Sequence, residues 1–406
     1  MSGTFPKFEF FAGKRLHLGV SGSVAAYKTC DLLRAFLKAG LHVSAVLTDG
    51  ACRFISPLLM ESLGASPVYG RLFDGGEDPF SHLEPGQGAH AMLVAPATAD
   101  VLSRLAAGAA SDMLSAQALA FSGPLVVAPA MNPRMWQHPA VQANAQTLAS
   151  RGVTFVGPGN GTAACGDTGC GRLADICEIY LAVLRALAPQ DMAGKRVMVT
   201  LGPTREKWDG VRYWSNPSTG TMGAALAMAA WLRGAEIDAV CGPASAFLPA
   251  SVRCHRVTSA AEMFECASDI WKSADIGIFT AAVADFSPEP FGEAKFSKGQ
   301  AQDGFSVKFT PNREILKTLA AERRPDQKVM GFAAETEADL PERVRRKLSV
   351  KKADIIVGNR VNTEGSGFGT STDSVFVADS RGREENWPVR PKTDVAWDLC
   401  SWLCSL

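Results

Sequence analysis

"GKRLHLGVSGSVAAYKTCDLLRAFLKAG", residues 13–40, and "GKRVMVTLGPTREKWDG", residues 194–210, open alike. Each sets a basic pair ahead of a short β-branched and apolar run, and each run leads into a glycine turn. A helical pattern follows, in the second copy "STGTMGAALAMAAWLRGA" (218–235). Another apolar run comes after each helix, "LHVSAVLT" (41–48) and "EIDAVCG" (236–242). Strand, loop, helix and strand in this order predict a parallel sheet with helices on both faces. Between the copies, "LRALAPQDMAG" (184–194) passes from apolar helix to polar connector, which puts a boundary near residue 190. The chain reads as α/β, with two doubly wound Rossmann-like domains over 12–188 and 192–406.

A chain of 406 residues is too long for one ordinary core, and each half is long enough to fold without staples. Lys and Arg balance Asp and Glu at 41 each, so nothing in the net charge argues for nucleic acid or an anionic membrane as partner. No apolar run approaches the roughly 18 residues of a membrane span. The N-terminal "MSGTFPKFEFFAGKR" lacks the apolar core of a secretory signal, so a cytoplasmic protein is expected. The ten cysteines form no paired CxxC framework, and the six histidines make no zinc-like cluster with them. A reducing compartment also argues against a structural bridge between Cys165 and Cys170 in "TAACGDTGCGRL" (162–173). That glycine-rich run therefore carries one or two free thiols that need an explanation.

Two runs of the first half, "AMLVAPATAD" (91–100) and "PLVVAPAMNP" (124–133), are apolar strands ending in Ala-Pro-Ala. Proline ends ladder pairing there and small residues admit a ligand close to the backbone. At the carboxyl ends of parallel strands this builds the floor of a crevice. Ser21, Gly22 and Ser23 supply a third piece before a helix whose free N–H groups attract phosphate. The glycine spacing is not G-x-G-x-x-G, so a mononucleotide such as a flavin fits better than a dinucleotide. Close packing of helix on strand is the plainer explanation of any one of these loops; three together favour the ligand.

The order "GVSGSVAAYK", "SHLE", "VAPATAD", "VAPAMNPRM" and "AACGDTGCGRL" resembles the flavin-containing phosphopantothenoylcysteine decarboxylases. The second half, with "GPTREKWDGVRYWSNPSTGTMG", "TAAVADF", "GFAAET" and "KADIIVGN", resembles the phosphopantothenate–cysteine ligases. Joined in this order, from about residue 14 to 400, they resemble the bacterial bifunctional coenzyme A biosynthesis family. The resemblance implies that the C-terminal half performs the earlier step and the N-terminal half the later one. The small-molecule substrates would be 4'-phosphopantothenate, cysteine and CTP, and the product 4'-phosphopantetheine.

Decarboxylation explains the first set of motifs. A cysteine-derived carboxylate has no neighbouring carbonyl to receive the electrons, so a sink is required. By resemblance, FMN oxidises the thiol to a thioaldehyde, which takes up the charge as an enethiolate. The flavin residues implied are Gly19, Ser21, Gly22, Ser23, Thr48, Pro96, Ala97 and Thr98. His82 matches the catalytic histidine, a side chain suited to proton handling near neutral pH, although Pro85 departs from the family pattern. Asn132 matches the binder of the substrate carboxylate, and it is equally well placed as a helix N-cap before "PRMW". Cys165 matches the acid that protonates the enethiolate, carried on a glycine-rich flap; ordinary thiols are mostly protonated at neutral pH and can donate. Cys170 stands where the family typically has proline, with no assigned role.

The ligase half must activate a carboxylate, and the family does so by forming an acyl-cytidylate from CTP. No P-loop is present, but Ser218, Thr219 and Gly220 offer a phosphate nest before a helix. Asn216 matches the residue that handles the acyl-nucleotide, while Thr221 and Ser297 replace lysines of the family pattern. Lys295 matches a catalytic, nucleotide-contacting lysine, and Asp285 a nucleotide-site aspartate that would act through Mg2+. Arg313, Glu314, Ile315, Leu316, Phe332, Lys347 and Lys351 also match nucleotide-binding positions. Lysines four apart equally describe a solvated helical face.

A flavin-binding scaffold without catalysis is the competing reading of the first half, and the joint presence of His82, Asn132 and Cys165 argues against it. An NAD-dependent or nucleotide-sugar oxidoreductase is a third, disfavoured by the missing dinucleotide fingerprint. The resemblance further implies a homo-oligomer, with trimeric decarboxylase contacts and dimeric ligase contacts making a dodecamer.

Overall fold

The computed structural model describes residues 5–72, 79–162, 164–297, 304–335, 339–361 and 363–406. The chain divides into two compact units, Met1–Ala188 and Pro189–Leu406.

In the first unit the apolar runs form β1 (Arg15–Val20), β2 (His42–Leu47), β3 (Val68–Tyr69), β4 (Ala91–Ala97), β5 (Leu125–Pro129) and β6 (Thr154–Phe155). They pair in parallel in the order β3-β2-β1-β4-β5-β6. This order reverses direction between β1 and β4, where a doubly wound sheet opens its ligand crevice. Strands buried on both faces need continuous apolar sequence, and β4 is buried from end to end. The helix Thr29–Lys38 buries Leu32, Leu33, Ala35 and Phe36 along one stripe, each large side chain contributing roughly 1.5–3 kcal/mol.

Two local expectations are corrected. Pro96 interrupts the β4–β5 ladder without ending it: pairing lapses after Val94 and resumes at Ala97 opposite Pro129. The segment after Ser23 begins as a 3-10 turn, Val24–Lys28, before the α-helix starts at Thr29. The run around Cys165 is also more regular than its glycines suggest. Gly159–Thr162 (β7) and Thr168–Arg172 (β8) form an antiparallel hairpin with Cys165 in its turn.

The second unit repeats the plan and extends it. Its strands are β9 (Arg196–Leu201), β10 (Arg205–Lys207), β11 (Tyr213–Ser215), β12 (Glu236–Cys241), β13 (Arg253–Arg256), β14 (Ile276–Phe279), β15 (Phe286–Pro288), β16 (Phe309–Pro311), β17 (Lys328–Glu335), β18 (Ile355–Arg360), β19 (Thr372–Asp379) and β20 (Glu384–Pro391). The large sheet runs β13-β12-β9-β14-β17-β18-β19-β20, parallel as far as β18 and antiparallel across β19 and β20. Its order reverses at β9, between β12 and β14. Small hairpins, β10 with β11 and β15 with β16, stand apart from the large sheet.

His17 is an unusual guest in β1, fully buried between apolar neighbours. Burial pushes its imidazole down to about 4, from the ordinary 6.5, against a hydrogen bond with Gln117 that works the other way. The neutral ring is the folded form, so the unfolded chain takes up a proton first on acidification. The stability tied to the neutral ring is complete above pH 6.5 and is lost as pH falls toward 4. Urea unfolding of the first unit at pH 7 and pH 4.5 should show about 3 kcal/mol of acid destabilisation that a His17→Leu chain lacks. An equal pH response in both chains would refute this.

Candidate active sites

At the reversal point of the first sheet, the ends of β1 and β4 are stitched together. The Ser21 hydroxyl donates to the Pro96 carbonyl at 2.7 Å and accepts from the Thr98 amide at 3.0 Å. Ser21 is thus a buried strut, 1% exposed, that shapes the crevice from below. Gly22 lies so close to Gly50 that a Cβ would fall 2.9 Å from its backbone. Beside these loops is a cavity of about 770 Å³ lined by Ser21, Gly22, Thr48 and Thr98, four of the eight residues expected to hold flavin. Gly19, Ser23, Pro96 and Ala97 are not among its lining residues. Gly19 instead faces Leu114, whose Cδ1 would lie 3.0 Å from an added Cβ. Arg71, Arg104 and Asp112 line the cavity too, and no motif pointed to them. Arg104 is held at 2.6 Å by Asp112, which also caps the helix Met113–Ala120.

The structure brings Asn132 and Cys165 together. Asn132 precedes the short helix Pro133–Gln137, and its side-chain oxygen accepts from the Arg134 amide at 2.8 Å. Its amide nitrogen is 3.1 Å from the Cys165 sulfur and 2.7 Å from Asp167 Oδ2. Cap and polar donor therefore coexist in one side chain. Met135 of the same helix lines the cavity. Arg134 also reaches Asp167, at 3.0 Å. The Asn132 amide, and then Arg134, hold the Asp167 carboxyl below its ordinary range. Asp167, two residues beyond the expected acid, was not singled out from the sequence.

His82 occupies a half-buried turn, and Pro85 falls in the first turn of the helix Glu84–Gly88, where a missing N–H costs nothing. The departure at Pro85 thus fits the local structure. Cys170 gives its thiol to the Pro158 carbonyl at 3.2 Å, at the base of the hairpin.

In the second unit, the ends of β9 and β14 are joined by a bridge between Pro203 and Ala282. Asn216 closes onto this point, its amide donating to the Ala282 and Val283 carbonyls at 3.2 and 3.1 Å. Ser218 and Thr219 follow, and Gly220 takes the left-handed φ of +74° that starts the helix Thr221–Leu232. Nine of the twelve residues of that helix are buried. Asp285 and Lys295 are exposed. Lys295 precedes Phe296, whose amide donates at 3.1 Å to Asp209, so Asp209 anchors the lysine's segment. Burial opposes ionisation of Asp209, yet the amides of Val211, Arg212 and Phe296 hold its carboxyl below the ordinary range. An Asp-Gly turn was the available signal for this residue.

Lys347 pairs with Glu335 at 2.7 Å, as Arg343 does at 3.1 Å, and Lys351 pairs with Glu314. Their helix face is therefore ion-paired while staying part-exposed, with Lys347 38% exposed. Arg313 stacks 4.4 Å over the Phe264 ring. The side chains of Ile315 and Leu316 are core, 4% and 8% exposed, leaving only their backbone to meet a ligand. Phe332 is half-buried on β17. Among the described residues no group of three or more His, Cys, Asp or Glu side chains could hold a metal. No helix among them is long and apolar enough to cross a membrane.

Residues 11–188 match the Flavoprotein family, and residues 192–406 the DNA/pantothenate metabolism flavoprotein C-terminal domain. The coenzyme A biosynthesis bifunctional protein CoaBC of Vibrio vulnificus (strain CMCP6) is 38% identical over 97% of this chain and 98% of its own length. The chain belongs to the CoaBC family. Members from Bacillus subtilis (strain 168) and Escherichia coli (strain K12) are each 39% identical, over 96% and 90% of this chain and 96% and 91% of their own. The flavoprotein unit thus carries the Asn132–Cys165 pair, and the C-terminal unit carries Asn216. A Gly22→Ala chain should lose bound flavin, because its methyl would drive the Gly22 and Gly50 loops apart. Flavin absorbance per protein after gel filtration measures this, and wild-type retention would contradict it.

Proposed function

We infer that this protein is a bifunctional enzyme of coenzyme A biosynthesis acting in the cytoplasm. Its C-terminal unit joins 4'-phosphopantothenate to cysteine at the expense of CTP, through an acyl-cytidylate. Its N-terminal unit decarboxylates the product to 4'-phosphopantetheine. The observation that carries this reading is the convergence of the Asn132 amide, the Cys165 thiol and Asp167 beside the helix whose Met135 lines the switch-point cavity.

That cavity suits FMN in size and in its close glycine backbones, while Arg71 and Arg104 in its lining are ion-paired to Asp49 and to Asp100 and Asp112. FMN, when bound, supplies the electron sink that the carboxylate itself lacks. Asn132, oriented by its cap, exchanges its amide contact with Asp167 for the substrate carboxylate. His82 handles the thiol proton, and Cys165 on the hairpin turn returns a proton to the enethiolate.

In the second unit, the Asn216 amide orients the activated carboxylate beside the Ala282–Val283 carbonyls. Ser218, Thr219 and Gly220 receive phosphate at the start of the Thr221–Leu232 helix, and Lys295 stabilises charge on the reacting phosphate. Arg313, Phe332, Lys347 and Lys351 serve the nucleotide, the lysines exchanging their carboxylate partners for it. Mg2+ would arrive on the triphosphate, with Asp285 as its protein carboxylate, since magnesium is usually held by one or two carboxylates plus phosphate. A homo-oligomer with trimeric decarboxylase and dimeric ligase contacts follows from the family resemblance.

Purified protein incubated with phosphopantothenate, cysteine and either CTP or ATP tests the reading by mass spectrometry. Phosphopantetheine and CMP are expected with CTP. Equal product from ATP would overturn the nucleotide assignment, and accumulation of phosphopantothenoylcysteine without its decarboxylation would overturn the first unit's role.

A further inference from the structure

His17 sits in β1 between Leu16 and Leu18, all three without exposed surface. Its Nδ1 lies 2.8 Å from Ser44 Oγ on β2, and its Nε2 lies 2.9 Å from Gln117 Oε1. Gln117, equally buried, donates its amide nitrogen to the Ser81 carbonyl at 3.0 Å. The proton pattern follows from chemistry. A carbonyl only accepts, so the Gln117 NH2 must face Ser81 and its oxygen must face His17. The neutral ring then carries its hydrogen on Nε2, and Nδ1 accepts from the Ser44 hydroxyl. Every polar atom in the line has a partner, as buried polar groups require.

A second tether leaves the same ring. His17 stands edge-on to Tyr69, with centroids 5.7 Å apart, and the Tyr69 hydroxyl donates to Glu84 Oε2 at 2.5 Å. Ser81 and Glu84 flank His82 on either side. An aliphatic side chain at position 17 would serve the core at least as well as a buried imidazole. What the two tethers add is a hold on the Ser81 backbone and on the Glu84 side chain, one on each side of His82.

We propose that His17, Gln117 and Tyr69 are positioning residues for decarboxylation, clamping the chain on both sides of His82 so that its ring meets the substrate in one orientation. The proposal rests on the reading of His82 as the proton-handling residue.

The test uses the full flavin-loaded chain with supplied phosphopantothenoylcysteine, and compares Gln117→Met, Gln117→Glu, Tyr69→Phe and His82→Asn. Gln117→Met should lower kcat on the order of ten- to a hundredfold and leave KM within about twofold, the signature of a misplaced catalytic group. Gln117→Glu, which sets an acceptor against the Ser81 carbonyl, should fall equally. Tyr69→Phe removes one oxygen and keeps the ring, so it reports even where Gln117→Met folds poorly; its kcat should fall several-fold, about threefold or more. Flavin content and ligase rate should stay at wild-type values. Unchanged kcat in Gln117→Met and Tyr69→Phe overturns the proposal, as does a loss of flavin or a rise in KM that accounts for the whole defect. Should His82→Asn decarboxylate normally, the reading of His82 fails and the proposal with it. Loss in His82→Asn with normal Gln117→Met and Tyr69→Phe condemns the clamp alone.

Discussion

A Cys165→Ser chain is expected to turn substrate over at most once per flavin, leaving the flavin bleached and an oxidised enethiol product on the protein. Serine keeps the size of the side chain and its contact with the Asn132 amide, 3.1 Å from the sulfur in the native chain. What it loses is acidity, because alcohols are far weaker acids than thiols. Thiol oxidation and loss of carbon dioxide precede the proton donation and should survive. Protonation and hydride return should not, so steady-state phosphopantetheine formation should fall by at least on the order of a hundredfold. Cys170→Ser should behave as wild type, since a hydroxyl can make the same bond to the Pro158 carbonyl. Rapid-mixing absorbance at the flavin band, with mass spectrometry of the product, separates the two variants. Ordinary product over many turnovers from Cys165→Ser, or stalling in Cys170→Ser, would show that the proton donor is misassigned.

The second large effect is expected from Asn216→Asp. The Asn216 amide donates to two carbonyls of the β14 loop, so a carboxylate there would place negative oxygen against the Ala282 and Val283 oxygens. A donor turned into an acceptor in this setting costs about 1–3 kcal/mol, which, expressed in the ligase transition state, is a loss of about five- to 150-fold in kcat/KM. Decarboxylation of supplied phosphopantothenoylcysteine should stay near normal, because Asn216 belongs to the other compact unit. Both rates are read on one preparation. Their joint loss in a folded variant would contradict the division of labour between the units.

The candidate site was legible in the sequence where local chemistry specifies local geometry. Asn132 before Pro133 reads as a cap, and it is one. Ser218, Thr219 and Gly220 read as a turn before a helix, and the helix does begin at Thr221, with Gly220 at φ +74°. Where two segments remote in sequence meet, the same reading had little to use. The hairpin carrying Cys165 lacks alternating apolar residues, so nothing in it announces a strand. Lys347 and Lys351 show four-residue spacing, but spacing cannot reveal that Glu335 and Glu314 wait opposite them.

By itself, then, the sequence determined the two strand–turn–helix plans, the break near residue 190, and the residue types that mark each reaction. Those features follow from side-chain periodicity, turn chemistry and reactive groups, all of which act over a few neighbouring residues. Tertiary structure decided which of the expected flavin contacts line the cavity, how Arg71 and Arg104 come to join them, and that β19 and β20 close the second sheet antiparallel. It also decided that a histidine in the first strand reaches a glutamine 100 residues later and, through it, the turn of His82. The order of strands in a sheet fixes such approaches, and no local pattern of residues encodes that order.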